Sequence, residues 1–103
     1  MQGLNELLAA IRADYRRPPQ RWPQHMLDEF DAGLRVEEGK KYLKIIQRNS
    51  VWGFVVNVHD DAKFAYGDIL KAAGWATPAR NKPRGNVVTG DLSWVRWTGP
   101  EYL

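Results

Sequence analysis

Residues 41–58 read KYLKIIQRNSVWGFVVNV, and this stretch decides the fold. Lys41 to Arg48 and Val51 to Val58 are rich in β-branched and aromatic residues, with the polar pair Asn49-Ser50 between them. That pattern predicts two strands joined by a tight turn. In the second strand a period of two puts Trp52, Phe54, Val56 and Val58 on one face. Val51, Gly53, Val55 and Asn57 then share the other. The face carrying Trp52 is expected to look into the core.

Upstream of the hairpin the period is helical. Leu4, Leu7, Leu8, Ile11 and Tyr15 recur at i, i+3, i+4, i+7 and i+11, with Glu6, Arg12 and Arg16 off the stripe. Arg17-Pro18-Pro19 ends this helix, because a residue before proline avoids the α region. Trp22-Pro23 predicts a second start, with Pro at the first helical position and Trp22 placed to pack back. Met26, Leu27, Phe30 and Leu34 form its stripe, and Gly33 is the expected terminator. Helices this short need a partner surface.

Downstream, His59 to Lys63 reads as a polar turn. Ile69 to Ala73, Asn86 to Thr89 and Leu92 to Thr98 read as three further strands, with Gly90-Asp91 turning between the last two. Gly99 to Leu103 reads as a docked apolar tail. Trp52, Phe54, Ile69, Leu70, Trp75 and Trp97 are the expected core. The fold class is α+β: an N-terminal pair of short helices packed on a small antiparallel sheet or partly open barrel of about five strands. A single domain spans 1–103, with a helical unit over 1–36 and a β-rich unit over 40–103.

Composition narrows the function. With 44% hydrophobic and 26% charged residues the chain is globular. There is no Cys, which removes disulfides, thiolate zinc sites and cysteine nucleophiles. No apolar run approaches the ~20 residues of a membrane span. Leu4 to Ile11, broken by Asn5 and Glu6, does not read as a signal peptide. The expected setting is the cytoplasm. Net charge is +3, unevenly spread: residues 1–39 carry five Arg against seven Asp/Glu, and residues 40–103 ten Lys/Arg against five Asp/Glu. The basic excess lies in the second part.

Motifs for chemistry are sparse. GxxxxGK[ST], GxGxxG and GxSxG do not occur, Ser50 and Ser93 lack a neighbouring His, and His25 and His59 fall on different elements. No cofactor or metal is implied. His59-Asp60-Asp61 has the residue types for a base or a hard-metal site, yet Asp favours turns through its own hydrogen bonds. Asp28, Glu29 and Asp31 read as the solvated face of a helix.

Binding is the better reading. In Thr77 to Gly85 the cations Arg80, Lys82 and Arg84 alternate with small or rigid residues, suiting phosphate contact, with Asn81 and Gly85 allowing close backbone approach. If Trp97 joins the core, the open sheet face collects Tyr42, Lys44, Arg48, Trp94 and Arg96. Such a face suits single-strand stacking. It equally suits a protein interface, or a surface covered by the helices.

The blocks KYLKI (41–45), SVWGFVV (50–56), GDILKAAGW (67–75), PARNKPRGNV (78–87) and WTGPEYL (97–103) resemble a family of small bacteriophage- or prophage-encoded proteins with no assigned activity. GDILKAAGW and RGNV are the distinctive parts, and the helical first third lies outside the resemblance. It implies a phage or prophage origin and a host-cytoplasmic setting, and brings no catalytic residue. Three function classes follow: an accessory protein binding DNA or RNA, a protein-binding inhibitor or modulator of a host or defence enzyme, and a small enzyme using His59 and nearby carboxylates. The acidic helical third would be the contact in the second class. The first is preferred.

Overall fold

The computed structural model of the protein describes residues 1–102. Two helices, α1 (Leu4–Tyr15) and α2 (Gln24–Gly33), lead directly into β1 (Leu34–Glu38), β2 (Tyr42–Gln47), β3 (Ser50–Val56) and β4 (Ile69–Leu70). These four strands form an open antiparallel sheet in the order β1-β2-β3-β4. A second, two-stranded antiparallel sheet pairs β5 (Val95–Arg96) with β6 (Gly99–Pro100). The fold is α+β, as the two periods in the sequence require, and the sheet is not a closed barrel. Among the described residues no helix is long and apolar enough to cross a membrane.

The helices form where the stripe predicted them. Leu7, Ile11 and Tyr15 of α1 are buried, with Leu4 and Leu8 packed at their margin. Pro23 caps α2 from outside the helix rather than occupying its first position. Trp22 packs back as expected: its ring stacks on Tyr15 at 5.0 Å, and its Nε1 donates to the Tyr15 carbonyl.

Leu34 departs from its expected role. It opens a strand instead of closing the helix stripe, because in LRVEE the inward residues Leu34 and Val36 alternate with exposed Arg35 and Glu37. The helical unit therefore ends at Gly33. Turn residues also shift, since Arg48 takes a left-handed φ of 57° and Ser50 already belongs to β3.

The face assignment of the central hairpin is corrected by a β-bulge. Ile45 pairs with Gly53 but Ile46 with Val51, so Trp52 is an extra residue on β3. The bulge turns Trp52 to the side of Val55, Leu43, Ile45 and the helices, while Phe54 and Val56 point to the opposite face. Trp52, Phe54 and Val56 thus do not share a face. Gly53 admits no side chain, for a Cβ there would lie 2.9 Å from the Leu70 carbonyl oxygen.

Downstream strands are shorter than their patterns. β4 stops at Leu70, with Ala72 forming only a single bridge to Pro78. Asn86 to Thr89 is a turn, not a strand. The Asn86 carboxamide oxygen accepts from the Val88 and Thr89 N–H groups, and its nitrogen donates to the Tyr66 carbonyl and Asp68, so local bonds replace a ladder. Gly85 opens that turn at φ 106°, where a Cβ would meet the Asp91 carbonyl oxygen at 2.2 Å. Only Val95 and Arg96 of the fifth candidate pair as a strand. Of the apolar tail, Gly99 and Pro100 are buried and Tyr102 is 81% exposed, while Leu103 lies outside the described residues.

Two apolar clusters result. On the helix side, Leu7, Ile11, Tyr15 and Phe30 meet Leu43, Ile45, Trp52, Val55, Ile69, Val87 and Val95. On the other side, Phe54, Val56 and Leu70 meet Phe64, with Tyr42, Val51 and Val58 at the margin. Trp97 is half-buried and edge-on to Tyr15, Trp22 and Phe30. Trp75, expected in the core, is 53% exposed.

Candidate nucleic-acid interface

The chain leaving β3 at Val56 crosses the second sheet face as turns and irregular segments. Such a segment must find partners for its backbone groups. Asp61 supplies several. Its Oδ1 accepts from the Lys63 and Phe64 N–H groups at 2.8 and 2.9 Å, which forms the polar turn. The same oxygen takes the Arg80 guanidinium at 2.9 Å, and Arg80 also donates to the Tyr42 hydroxyl. Lys63 Nζ donates back to the Arg80 carbonyl.

The Asp61 side chain is 1% exposed, and its Oδ2 has no hydrogen-bond partner although Lys41 Nζ stands 3.4 Å away. Hydrogen bonds from Arg80, then from the two backbone N–H groups, hold this carboxyl well below the usual carboxylate range. Donating that same bond to Asp61 raises Arg80 above the ordinary arginine value. Asp61 and Arg80 are therefore a structural ion pair.

The eight candidate binding residues separate accordingly. Arg80 and Tyr42 meet, but in this bracing network. Arg84 is 2% exposed, its Nη1 donating to Asn81 Oδ1 and the Lys82 carbonyl at 2.6 and 2.7 Å and its Nε to the Glu101 carbonyl. No phosphate reaches a guanidinium so enclosed. Arg96 pairs with Glu101 at 2.9 Å and donates to the Val95 carbonyl. Arg48 lies on the β2–β3 turn, paired with Glu29 of α2. Lys82 is exposed, with its ammonium 5.9 Å from the centroid of half-buried Trp94. Lys44 points from β2 to the ring of Trp75, 4.3 Å from its centroid. One continuous open face of Tyr42, Lys44, Arg48, Trp94 and Arg96 does not exist, because the bulge and the loops redistribute them.

What the geometry does bring together was partly missed in the sequence. The Ala73 and Gly74 N–H groups both donate to the Thr77 carbonyl, closing a tight loop with Trp75 at its tip. Beside it a groove of about 280 Å³ is lined by Lys40, Lys41, Tyr42, Lys44 and Ala76 together with Glu37 and Glu38. A second groove, about 420 Å³, adjoins through Lys40 and Lys41 and reaches Asp60, Asp61 and Arg80. The signal for Trp75 was its neighbours: Gly74, Ala76 and Thr77 make a loop, not a strand interior.

His59 is exposed and stacks on Tyr66 at 4.0 Å, while the Asp61 carboxylate is engaged by Arg80. Among the described residues no group of three or more His, Asp or Glu side chains is placed to hold a metal ion. Comparison of the chain with protein-family models, curated proteins and solved structures finds no match.

Proposed function

We propose that the protein is a small phage-type binding module whose ligand is a single-stranded nucleic acid, taken up at the loop-covered side of the sheet. The supporting observation is Trp75, an exposed ring with the Lys44 ammonium 4.3 Å from its centroid, at the edge of a groove carrying Lys40 and Lys41. Exposed rings offer stacking platforms to bases, and neighbouring ammonium groups neutralise phosphates. Lys82 with half-buried Trp94 is a second, looser cation–ring pair. The resemblance of residues 41–103 to phage-encoded proteins favours an accessory role in a host cytoplasm.

The test is titration of fluorescent single-stranded and duplex oligonucleotides at several salt concentrations. Each phosphate neutralised contributes roughly 0.7–0.9 to the slope of log affinity against log salt. Replacing Lys40, Lys41 and Lys44 together by Ala should flatten the slope by about 2–3 units. Glu37 and Glu38 on the same groove favour a second reading, a protein partner with basic groups of its own. Absence of oligonucleotide binding at low salt, with nuclease-resistant capture of one host protein, would replace the first reading by the second.

A further inference from the structure

β1 is an edge of the sheet, and its register with β2 determines which backbone groups are free. The Arg48 N–H donates to the Gly33 carbonyl and the Gly39 N–H to the Tyr42 carbonyl. By the alternation of an antiparallel ladder, Arg35 (opposite Ile46) and Glu37 (opposite Lys44) are the residues of β1 bonded to β2. Val36 and Glu38 therefore turn their N–H and C=O groups outward, as does the Leu34 carbonyl. Outside the ladder, none of these groups has a backbone partner among the described residues. Arg35, Glu37 and Glu38 are exposed, while Leu34 and Val36 pack on the helix side.

We propose that this edge pairs with the same edge of a second copy of the chain, β1 antiparallel to β1 about a two-fold axis at Val36. In that register Val36 bonds Val36 of the second copy, and each Leu34 carbonyl accepts the Glu38 N–H across the axis. Arg35 then stands opposite Glu37 of the other copy, twice by symmetry, in non-hydrogen-bonded pairs where side chains come closest. A slip of one residue sets outward groups against inward ones and breaks the ladder. A slip of two sets Arg35 against Arg35 or Glu37 against Glu37, and like charges directly opposite are destabilising. One register alone joins unlike charges, so the strand is complementary to itself, as a closed two-fold interface requires. The two sheets would merge into one.

Sedimentation velocity over a concentration series at low salt should show the full-length parent passing from monomer to dimer. Arg35→Glu and Glu37→Arg should each weaken that association about tenfold or more, because both pairs become repulsive. Mixing these two single variants sets unlike charges opposite each other again and should restore dimers of mixed composition. Circular dichroism checks folding, since Glu37→Arg faces Lys44 and Arg35→Glu loses its bond to the Arg48 carbonyl. If either single variant fails to fold, the double variant R35E/E37R must dimerise like the parent. A parent that stays monomeric at every concentration, a dimer indifferent to both reversals, or a mixture that stays monomeric would overturn the proposal.

Discussion

The two faces of the four-stranded sheet are covered by different means. Against one lie α1 and α2, whose Leu7, Ile11 and Phe30 join Leu43, Ile45, Trp52 and Val55. Tyr15 adds a ring stacked between Trp22 and Phe30. Helices satisfy their own backbone, so apolar area suffices to dock them. Against the other face, Phe54, Val56 and Leu70 are covered by Phe64 and by irregular chain. That chain bonds itself only at scattered turns and bridges, and an ionised pair adds the bracing: Asp61 with Arg80, which also meets the Tyr42 hydroxyl. The second face therefore adds polar bracing to a smaller apolar cluster, and its loop at Thr77 presents the exposed Trp75 ring.

The sharpest way to break the comparison is on the helix side. Trp52→Ala deletes a buried ring at the bulge and the Nε1–H bond to the Arg96 carbonyl, 2.7 Å long. It should lower unfolding free energy by ~3–5 kcal/mol in equilibrium urea titration. A parent-like midpoint would mean that Trp52 does not fill the helix-side core. The corresponding strike on the irregular chain is Arg84→Ala, at a polar brace outside both apolar clusters. It leaves the Asn81 carboxamide and the Lys82 and Glu101 carbonyls without their charged donor, and should cost about 2–3 kcal/mol. A negligible loss there would show that the loops close without their polar braces.

Legibility divides along the same line. The helix stripe Leu4, Leu7, Leu8, Ile11 and Tyr15, and the pairing of β2 with β3, stand plainly in the sequence because apolar period reports apolar burial. The bulge at Trp52 does not, since Val51 to Val56 is a continuous apolar run that marks neither face, and Gly53 is its one local sign. Arg84 reads as a free cation beside Lys82 and Arg80, yet it is the most enclosed charge of the three, because its acceptors come from Asn81, Lys82 and distant Glu101. Trp75, expected in the core, stands outside it, because the loop hydrogen bonds to Thr77 are backbone bonds and leave no mark on the side-chain pattern.

A smaller effect, visible in acid, tests whether the loop side depends on charge. The folded Asp61 carboxyl titrates below its unfolded value of about 4. A group depressed in the folded state contributes stability above its unfolded pKa and loses it as pH falls toward the folded one. The urea midpoint of the parent should therefore fall as pH drops below about 4, whereas Asp61→Asn should start lower at neutral pH and lose less in acid. Profiles that stay parallel from neutral pH downward would show that the Asp61 charge contributes nothing.

The smallest effect on stability belongs to Trp75→Ala. Its ring is 53% exposed and rests on the Lys44 ammonium rather than in either cluster. Removal should change unfolding free energy by no more than about 0.5 kcal/mol, the range of surface substitutions. Beside the collapse expected of Trp52→Ala, this makes Trp75 the tryptophan least involved in folding. Its effect should lie in binding: a lost stacking platform costs ~1–3 kcal/mol of affinity for a single strand. The salt slope should be unchanged, because stacking releases no counterions. That separates it from the replacement of Lys40, Lys41 and Lys44, which flattens the slope. If Trp75→Ala instead destabilises the fold as Trp52→Ala does, the loop packs inward and the exposed-ring interface is wrong. If it leaves both stability and oligonucleotide affinity untouched while the lysine replacement still weakens binding, the ligand tracks charge alone, and the loop-covered face holds a backbone without reading its bases.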